Sequence, residues 1–496
     1  MIGGYVICSF RMLAILLAFI YVFLSYKRRK TPVKQIFSGV DENQAKKVLI
    51  VLMTLGLLLR VITIDKITFS DESLYINVAK EVYNGSVMYK DFFFFHPPFY
   101  PYLTAIVFKL LGVGVAQAKI TPLVLSALTI PLIYAISRRW YGLKPALFSA
   151  MVYAISAGTV IMTRIATMYS EMLFFSLLGV YFFLNGFYEN NRFHILLAGI
   201  SFGVSSMFRL FGLLVPAVIL IFLIWKRQHL EHLIILGVGG MIVASPFALY
   251  FNDTDFVYQI LGHHYAKPDI GLFMKIMTFS RAMILYALST TIGLLSAGVM
   301  IRDKKMRDVD VFFVLWIVLG ALGVFSVRYW HNIAAITYYI IIAPPLILLG
   351  GRAVELVDPY WLKTLVVAIL LVELVEYNSI DFISNSEWDR GIRETARYVE
   401  MNSDANDKII GERTVFNGVS FLSGREVAGK EFVLNYERFG IGELNESYMA
   451  QLINESKFVV TYPPELVLPV MQHSIDKCET SANISGFMVY DCRGRI

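Results

Sequence analysis

Apolar residues in this chain fall in long blocks, and short polar segments separate each block from the next. A helix needs roughly 20 consecutive apolar residues to cross the hydrocarbon core of a bilayer, and these blocks approach or reach that length. The pattern predicts an α-helical polytopic membrane protein with about 12 spans. The predicted spans cover residues 5–24, 48–64, 119–137, 145–162, 170–187, 194–208, 211–225, 232–250, 280–300, 311–326, 333–349 and 361–377.

The composition agrees with this interpretation and narrows the class of protein. Of the 496 residues, 57% are hydrophobic and 17% are charged, and the mean hydropathy is +0.61. A soluble domain carries about a quarter charged residues and holds its apolar side chains in short periodic stripes. A soluble enzyme, a disordered protein and an outer-membrane barrel are therefore excluded.

Basic residues mark alternate connections between the predicted spans, beginning with residues 27–30. Short loops with positive charge stay cytoplasmic, so the net charge of +6 does not indicate a nucleic-acid partner. The segments that this rule places outside are 65–118, 163–169, 251–279, 327–332 and 378–496. Sequons of the form Asn-x-Ser/Thr lie only in those outer segments, at Asn84, Asn252, Asn445, Asn454 and Asn483.

The pattern divides the chain into three predicted parts. Residues 1–47 are expected to form an N-terminal anchor span with a basic cytoplasmic linker, and residues 48–377 a membrane-spanning domain. Residues 378–496 alternate between helical and strand-like runs, which predicts a small extracytoplasmic α/β domain. An oxidising exterior would permit a disulfide between Cys478 and Cys492 in this tail, although their spacing leaves the geometry open.

The outer loop 65–118 carries the most informative chemistry. Asp71 and Glu72 directly follow a predicted span, where acidic side chains are costly unless they are solvated or used. Helical spacing after Ser70 predicts a helix that ends at Gly85. In the simpler alternative, the two acidic residues only cap this helix.

The second half of the outer loop begins with an aromatic run. Four phenylalanines at 92–95 precede His96-Pro97-Pro98, which breaks the chain before a second amphipathic helix at 102–111. Burial at the interface is the expected role of the phenylalanines, with insertion in the bilayer or contact with a polyprenyl chain as alternatives. His96 alone would be an interfacial hydrogen-bonding residue.

The motifs of this loop resemble those of the GT-C glycosyltransferases that use polyprenyl-phosphate sugars, in particular the protein mannosyltransferase and lipid A aminoarabinose transferase branch. The resemblance covers about residues 48–350 and is most specific in the outer loop. It rests on Asp71-Glu72, Tyr75, Tyr89-x-Asp91 and His96-Pro97-Pro98-x-Tyr100-Pro101, and continues more loosely through Arg138–Gly142, Arg164-x-Ala166, Glu171 and Arg328-Tyr329. It implies an enzyme that moves a sugar, a hexose such as mannose, to a protein, lipid or glycan acceptor on the outer membrane face.

The resemblance also implies roles for individual residues. Asp71 would be the general base that deprotonates the acceptor, Glu72 would position the acceptor or tune the base, and Glu171 would be a second acidic catalytic residue. The residues expected to bind substrates are Tyr75, Tyr89, His96, Arg164, Arg209, His263, His264, Arg328 and Tyr329. A guanidinium suits a departing phosphate, although any one of these arginines could instead reach to lipid headgroups.

The two adjacent histidines at 263–264 are expected to face solvent or contact the acceptor. They are spaced too closely for a helical metal pair, and no other Cys/His spacing indicates a metal site. The chain also has no Gly-x-Gly-x-x-Gly and no P-loop, so neither a metal nor another cofactor is expected.

The sequence disfavours three other functions. A transporter or flippase of lipid-linked cargo would need broken spans with intramembrane charges at corresponding positions of two halves, and the sequence shows no internal repeat. A catalytically silent scaffold is disfavoured by the intact Asp71, Glu72 and His96. The absence of Trp-Trp-Asp argues against an en-bloc oligosaccharide transferase, since the only Trp-Asp is Trp388-Asp389.

Overall fold

A computed structural model gives the architecture of the chain. It describes residues 37, 39–68, 70–227, 231–265, 271–327, 334–385, 387–435, 438–439, 442–462 and 469–492. The first predicted span, 5–24, lies outside the described residues. Helices dominate the described part and a small sheet lies near the C-terminus, as the predicted fold class requires.

The membrane-spanning part is a bundle of helices joined mostly by short connections. In chain order the helices are α1 (Glu42–Val61), α2 (Ser70–Tyr83), α3 (Phe99–Leu111), α4 (Val115–Ala118), α5 (Ile120–Tyr141), α6 (Leu143–Ile155), α7 (Ala157–Thr163), α8 (Tyr169–Glu189), α9 (Arg192–Phe208), α10 (Leu214–Lys226), α11 (Glu231–Tyr250), α12 (Phe256–Tyr265), α13 (Leu272–Leu285), α14 (Ala287–Arg302), α15 (Asp308–Ser326), α16 (Ala334–Tyr339), α17 (Ala343–Gly351), α18 (Ala353–Leu356) and α19 (Pro359–Asn385). A 3-10 helix, Leu210–Leu213, joins α9 to α10.

Several of these helices have the length and composition that a membrane span requires. Within the described ranges, four apolar stretches of at least 18 residues do so: Val115–Tyr141, Tyr169–Glu189, Glu231–Tyr250 and Asp308–Ser326. Two bent helix pairs raise the number to six. The multi-pass helical fold is therefore confirmed. Among the described residues, the predicted spans 194–208 and 211–225 form apolar helices shorter than 18 residues, Arg192–Phe208 and Leu210–Lys226.

Two predicted spans, 145–162 and 280–300, are broken. α6 and α7 meet at a 60° bend, and α13 and α14 meet at a 95° bend. The buried Glu373 carboxylate on α19 accepts hydrogen bonds from the backbone N–H of Ala157 (2.8 Å) and of Leu288 (2.7 Å), in the first turns of α7 and α14. One side chain thus satisfies donors that both breaks expose, a contact that hydrophobic periodicity does not reveal.

The outer loop contains both of its expected helices. α2 has the two acidic residues in its first turn and ends before Gly85, whose φ of +99° favours glycine. α3 leaves Ile106, Leu110 and Leu111 exposed by 56%, 75% and 57%, which suits a helix that lies on a bilayer surface.

The tail is an α/β domain, as predicted. Its elements are α20 (Glu387–Met401), β1 (Lys408–Gly411), α21 (Arg413–Ser423), β2 (Glu426–Val427), α22 (Glu446–Glu455), β3 (Ser456–Thr461), α23 (Pro469–Ile475), β4 (Glu479–Ile484) and β5 (Phe487–Asp491). The sheet order is β2-β1-β3-β5-β4, with β1 parallel to both its neighbours and β5 antiparallel to both of its own. A Cys478–Cys492 disulfide ties the start of β4 to the end of β5.

The tail domain packs directly on the outer loop. α21 lies along α2, where the Asn77 amide donates to the Ser420 hydroxyl across 3.2 Å. The backbone N–H of Ile67 donates to the Asp389 carboxylate at 2.8 Å. These contacts place the tail over the loop that carries the candidate site.

Candidate active site

Asp71 lies at the boundary between the outer loop and the tail. It belongs to the first turn of α2, where the helix dipole favours a negative charge. Its side chain is 33% exposed, and one carboxylate oxygen lies 3.5 Å from a guanidinium nitrogen of Arg413. This carboxylate is therefore accessible to a substrate.

Glu72 points the other way and is fully enclosed. Its carboxylate pairs with the Lys119 ammonium at 3.0 Å and accepts the backbone N–H of Thr68 and of Ala166, both at 2.8 Å. The Lys119 ammonium also donates to the Thr63 carbonyl. Glu72 thus joins α2, α5 and the α7–α8 connection, and these contacts suit a positioning role more than contact with an acceptor.

His96 is held in place by two tyrosines. The Tyr89 hydroxyl donates to the His96 carbonyl at 2.6 Å, and the Tyr75 hydroxyl lies 2.9 Å from His96 Nε2. Arg209 also hydrogen-bonds to the Tyr75 hydroxyl. Because a guanidinium only donates, the Tyr75 oxygen accepts from Arg209, and the same hydroxyl lies within hydrogen-bonding distance of His96 Nε2.

Burial, followed by the neighbouring Asp71 carboxylate, raises the pKa of Tyr75 well above its usual value. Its phenol consequently keeps its proton at physiological pH. Tyr75 is therefore a neutral hydrogen-bonding group beside His96 and Arg209, within electrostatic reach of Asp71.

Arg209 supplies positive charge beside Tyr169 and Tyr338. Its guanidinium lies 4.3 Å from the ring centre of Tyr169 and 5.8 Å from that of Tyr338, and the residue is 7% exposed. Asp71 and Arg209 both act electrostatically on Tyr169 and on Tyr75. A carboxylate and a guanidinium are thus gathered around the same pair of tyrosines.

Arg164 and Glu171 lie deeper in the protein. Arg164 directly follows α7, is 2% exposed and interacts electrostatically with Lys119. Glu171, in the first turn of α8, is fully buried, and its two oxygens have no hydrogen-bond partner among the described residues. Both Arg164 and Arg209 are enclosed by protein and do not extend to lipid headgroups.

His263 is buried, so the expectation that it faces solvent is wrong. Its ring packs on Phe95 at 4.6 Å between centres and on Phe93 at 5.6 Å, and its Nε2 lies 3.4 Å from the Asn435 amide nitrogen. The phenylalanine run therefore packs against α12 and the tail, since Phe92 also meets Phe432. Tertiary packing replaced the solvent that a loop histidine would ordinarily contact.

Some expected site residues lie outside the described part of the chain. Arg328 and Tyr329 are among them, and of His264 only the backbone is described. Within the described ranges, no group of three or more His, Cys, Asp or Glu side chains is arranged to hold a metal ion.

Sequence reasoning missed two cations of this site. Lys119 is the first residue of the predicted span 119–137. Arg413 lies in the tail, 342 positions after Asp71 in the chain. No local motif marks either residue. Only the tertiary fold brings Lys119, directly before α5, to Glu72, and the packing of α21 along α2 brings Arg413 to Asp71.

Comparisons with known proteins agree with this architecture. Residues 95–251 match the family described as dolichyl-phosphate-mannose-protein mannosyltransferase. No curated protein sequence matches the chain significantly.

Solved structures resemble most of the chain. ArnT from Cupriavidus metallidurans in the apo state has a TM-score of 0.69 and 13% identity, covering 90% of this chain and 98% of that one. The structure of the same protein bound to undecaprenyl phosphate has a TM-score of 0.67 and 14% identity, covering 92% of this chain and 99% of that one. A third match is the archaeal oligosaccharyltransferase AglB from Archaeoglobus fulgidus, in complex with an inhibitory peptide and a dolichol-phosphate. Its TM-score is 0.56 and its identity 12%, covering 92% of this chain and 75% of that one.

At these identities the structural likeness establishes the fold, and the matched family covers the stretch from Phe95 to Phe251 that includes His96, Arg164 and Arg209. The fold that the outer-loop motifs implied is thereby confirmed: this chain has the multi-pass fold of ArnT and of archaeal AglB, which are GT-C glycosyltransferases.

Proposed function

We propose that this protein is a membrane glycosyltransferase that moves a sugar, a hexose such as mannose, from a polyprenyl-phosphate donor to an acceptor on the outer membrane face. The observation that carries the proposal is the pairing of an accessible carboxylate, Asp71, with a buried guanidinium, Arg209, around Tyr75 and Tyr169. Transfer from a phosphate needs both groups.

In the proposed reaction, Asp71 accepts a proton and Arg209 stabilises the leaving phosphate. The acceptor nucleophile forms a bond to the anomeric carbon, and its proton passes to the Asp71 carboxylate. The bond between that carbon and the phosphate oxygen breaks, and its electrons leave with the lipid phosphate. Arg209 then stabilises the growing negative charge on the phosphate, which a guanidinium does through two parallel hydrogen bonds.

The supporting residues keep this arrangement in place. Glu72 and Lys119 fix the start of α2, and Tyr75 with His96 orients Arg209. Glu171 stays a prediction as a second acidic residue, since its enclosed carboxylate reaches a substrate only if the start of α8 shifts.

The nature of the donor is supported by the relatives. One solved ArnT holds undecaprenyl phosphate, and one solved AglB holds a dolichol-phosphate. The matched family takes its description from dolichyl-phosphate mannose, which favours mannose as the first donor to test.

The outer location rests on independent features. Basic loops alternate along the chain, and the sequons lie in the segments assigned outside. The Cys478–Cys492 disulfide in the tail is typical of an oxidising compartment. All of them support an extracytoplasmic position for Asp71 and the tail.

The test uses full-length protein in lipid nanodiscs, labelled polyprenyl-phosphate mannose, glucose and aminoarabinose, and a total cell extract as the source of acceptor. We expect one donor to release polyprenyl phosphate and to transfer its label. Asp71→Asn should lower this release by about 100-fold or more, the contribution typical of a general base. The matched control is Asp65→Asn, an exposed carboxylate in the same loop, which should keep wild-type activity.

A flippase of lipid-linked cargo is the second candidate, because the two bent helix pairs and Glu373 resemble the broken spans of transporters. If no donor is consumed, and labelled lipid instead crosses the bilayer of reconstituted vesicles, the flippase replaces the transferase.

A further inference from the structure

The tail domain turns a particular edge of its sheet toward the membrane-spanning part. Arg413 comes just after β1, and Lys430 ends the short 3-10 helix that follows β2. In open α/β sheets, functional groups gather at the carboxyl ends of parallel strands. Here both carboxyl ends face α2, the helix that carries the candidate base.

Contacts that do not involve Asp71 hold this edge in place. The Lys430 ammonium lies 2.7 Å from the hydroxyl of Ser86, which follows the C-terminal end of α2. It also lies 3.5 Å from the carboxylate of Glu81 in the last turn of that helix. Midway along the helix, Asn77 donates to Ser420. The position of α21, and of Arg413 at its start, is thus set by docking along the whole of α2.

The Arg413–Asp71 pair differs from these docking contacts. Its two side chains are 23% and 33% exposed and 3.5 Å apart, so the pair borders open space. Surface pairs of this kind add little to stability. A catalytic base, in contrast, needs a partner that fixes the direction of its reactive oxygen.

We propose that Arg413 is a positioning residue of the active site: it holds one oxygen of Asp71 so that the other faces the acceptor. The tail domain then completes the site that the membrane-spanning part leaves open. This inference rests on the proposed function, because it assigns Arg413 a role through the base.

The test compares Arg413→Gln with the matched control Lys430→Gln, which removes another cation from the same interface at a distance from Asp71. Full-length variants are assayed in nanodiscs with the labelled donor that the wild type consumes. Donor affinity is measured in a separate binding experiment, in which polyprenyl phosphate replaces the donor. We expect Arg413→Gln to lower kcat by about tenfold with donor affinity within about twofold of wild type. Lys430→Gln should retain wild-type kcat, and Arg413→Lys should recover part of the loss.

A double variant separates positioning from simple docking. If Arg413 acts through Asp71, adding Arg413→Gln to Asp71→Asn lowers the remaining activity no further. Equal losses in Arg413→Gln and Lys430→Gln, or additive losses in the double variant, would overturn the inference. A wild type that consumes no donor would instead count against the proposed function.

Discussion

Asp71 and Glu72 are neighbours in the chain, yet they face two different regions of the molecule. Asp71 meets Arg413 of the tail at a partly open boundary, whereas Glu72 meets Lys119 inside the helical bundle with both side chains fully buried. The distances are similar, 3.5 Å and 3.0 Å, so surroundings and not separation distinguish the two pairs.

The difference follows from solvation. A buried carboxylate that loses its cation keeps the full cost of leaving water, while an exposed one is rehydrated. Glu72 is therefore suited to hold helices together, while Asp71, 33% exposed, can present a carboxylate oxygen to an acceptor.

The largest expected effect is on the buried pair. Lys119→Met leaves the Glu72 carboxylate enclosed without its cation and should cost about 3–5 kcal/mol in the free energy of unfolding. Thermal unfolding of the detergent-solubilised protein measures this loss. Combining Lys119→Met with Glu72→Gln should recover part of it, and a wild-type Tm in the single variant would contradict the assignment.

The open carboxylate should show the opposite behaviour. Asp71→Asn should change the free energy of unfolding by no more than about 1 kcal/mol, because its partner is partly exposed, while transfer falls by about 100-fold or more. Parallel Tm and donor-consumption measurements test this split. A large drop in Tm with transfer retained would reverse the roles of the two acidic residues.

A substitution of Arg209 tests whether this guanidinium binds the phosphate of the donor. Arg209→Gln removes a charged hydrogen-bond donor and should weaken binding of polyprenyl phosphate by roughly 10- to 100-fold, corresponding to about 1.5–3 kcal/mol. Binding to protein in nanodiscs measures the change. Arg192→Gln, which alters an exposed arginine paired with Glu231, is the control and should bind as the wild type does.

The smallest effect is expected at a pair that is close but exposed. Lys90 and Asp253 lie 3.2 Å apart, nearer than Asp71 and Arg413, with their side chains 58% and 60% exposed. Lys90→Ala should change the free energy of unfolding by about 1 kcal/mol or less and leave transfer unchanged. A large effect in either assay would show that distance matters more than burial.

Much of the fold could be predicted because it depends on local pattern. Apolar blocks produce helices, alternation in the tail produces an α/β domain, and Gly85 ends α2 because glycine adopts a positive φ readily. The Asp71-Glu72 and His96-Pro97-Pro98 motifs identified the fold family for the same reason, since short motifs keep their spacing in the chain.

The different roles of Asp71 and Glu72 cannot be predicted from local sequence patterns. Either residue could occupy the open side of α2 until the tertiary fold brings Lys119 to Glu72 and α21 brings Arg413 to Asp71. The burial of His263 and the capping of two helix breaks by Glu373 also depend on residues far apart in the chain. Periodicity and motifs specify helices and candidate chemistry, whereas desolvation and ion pairing arise only when distant segments meet.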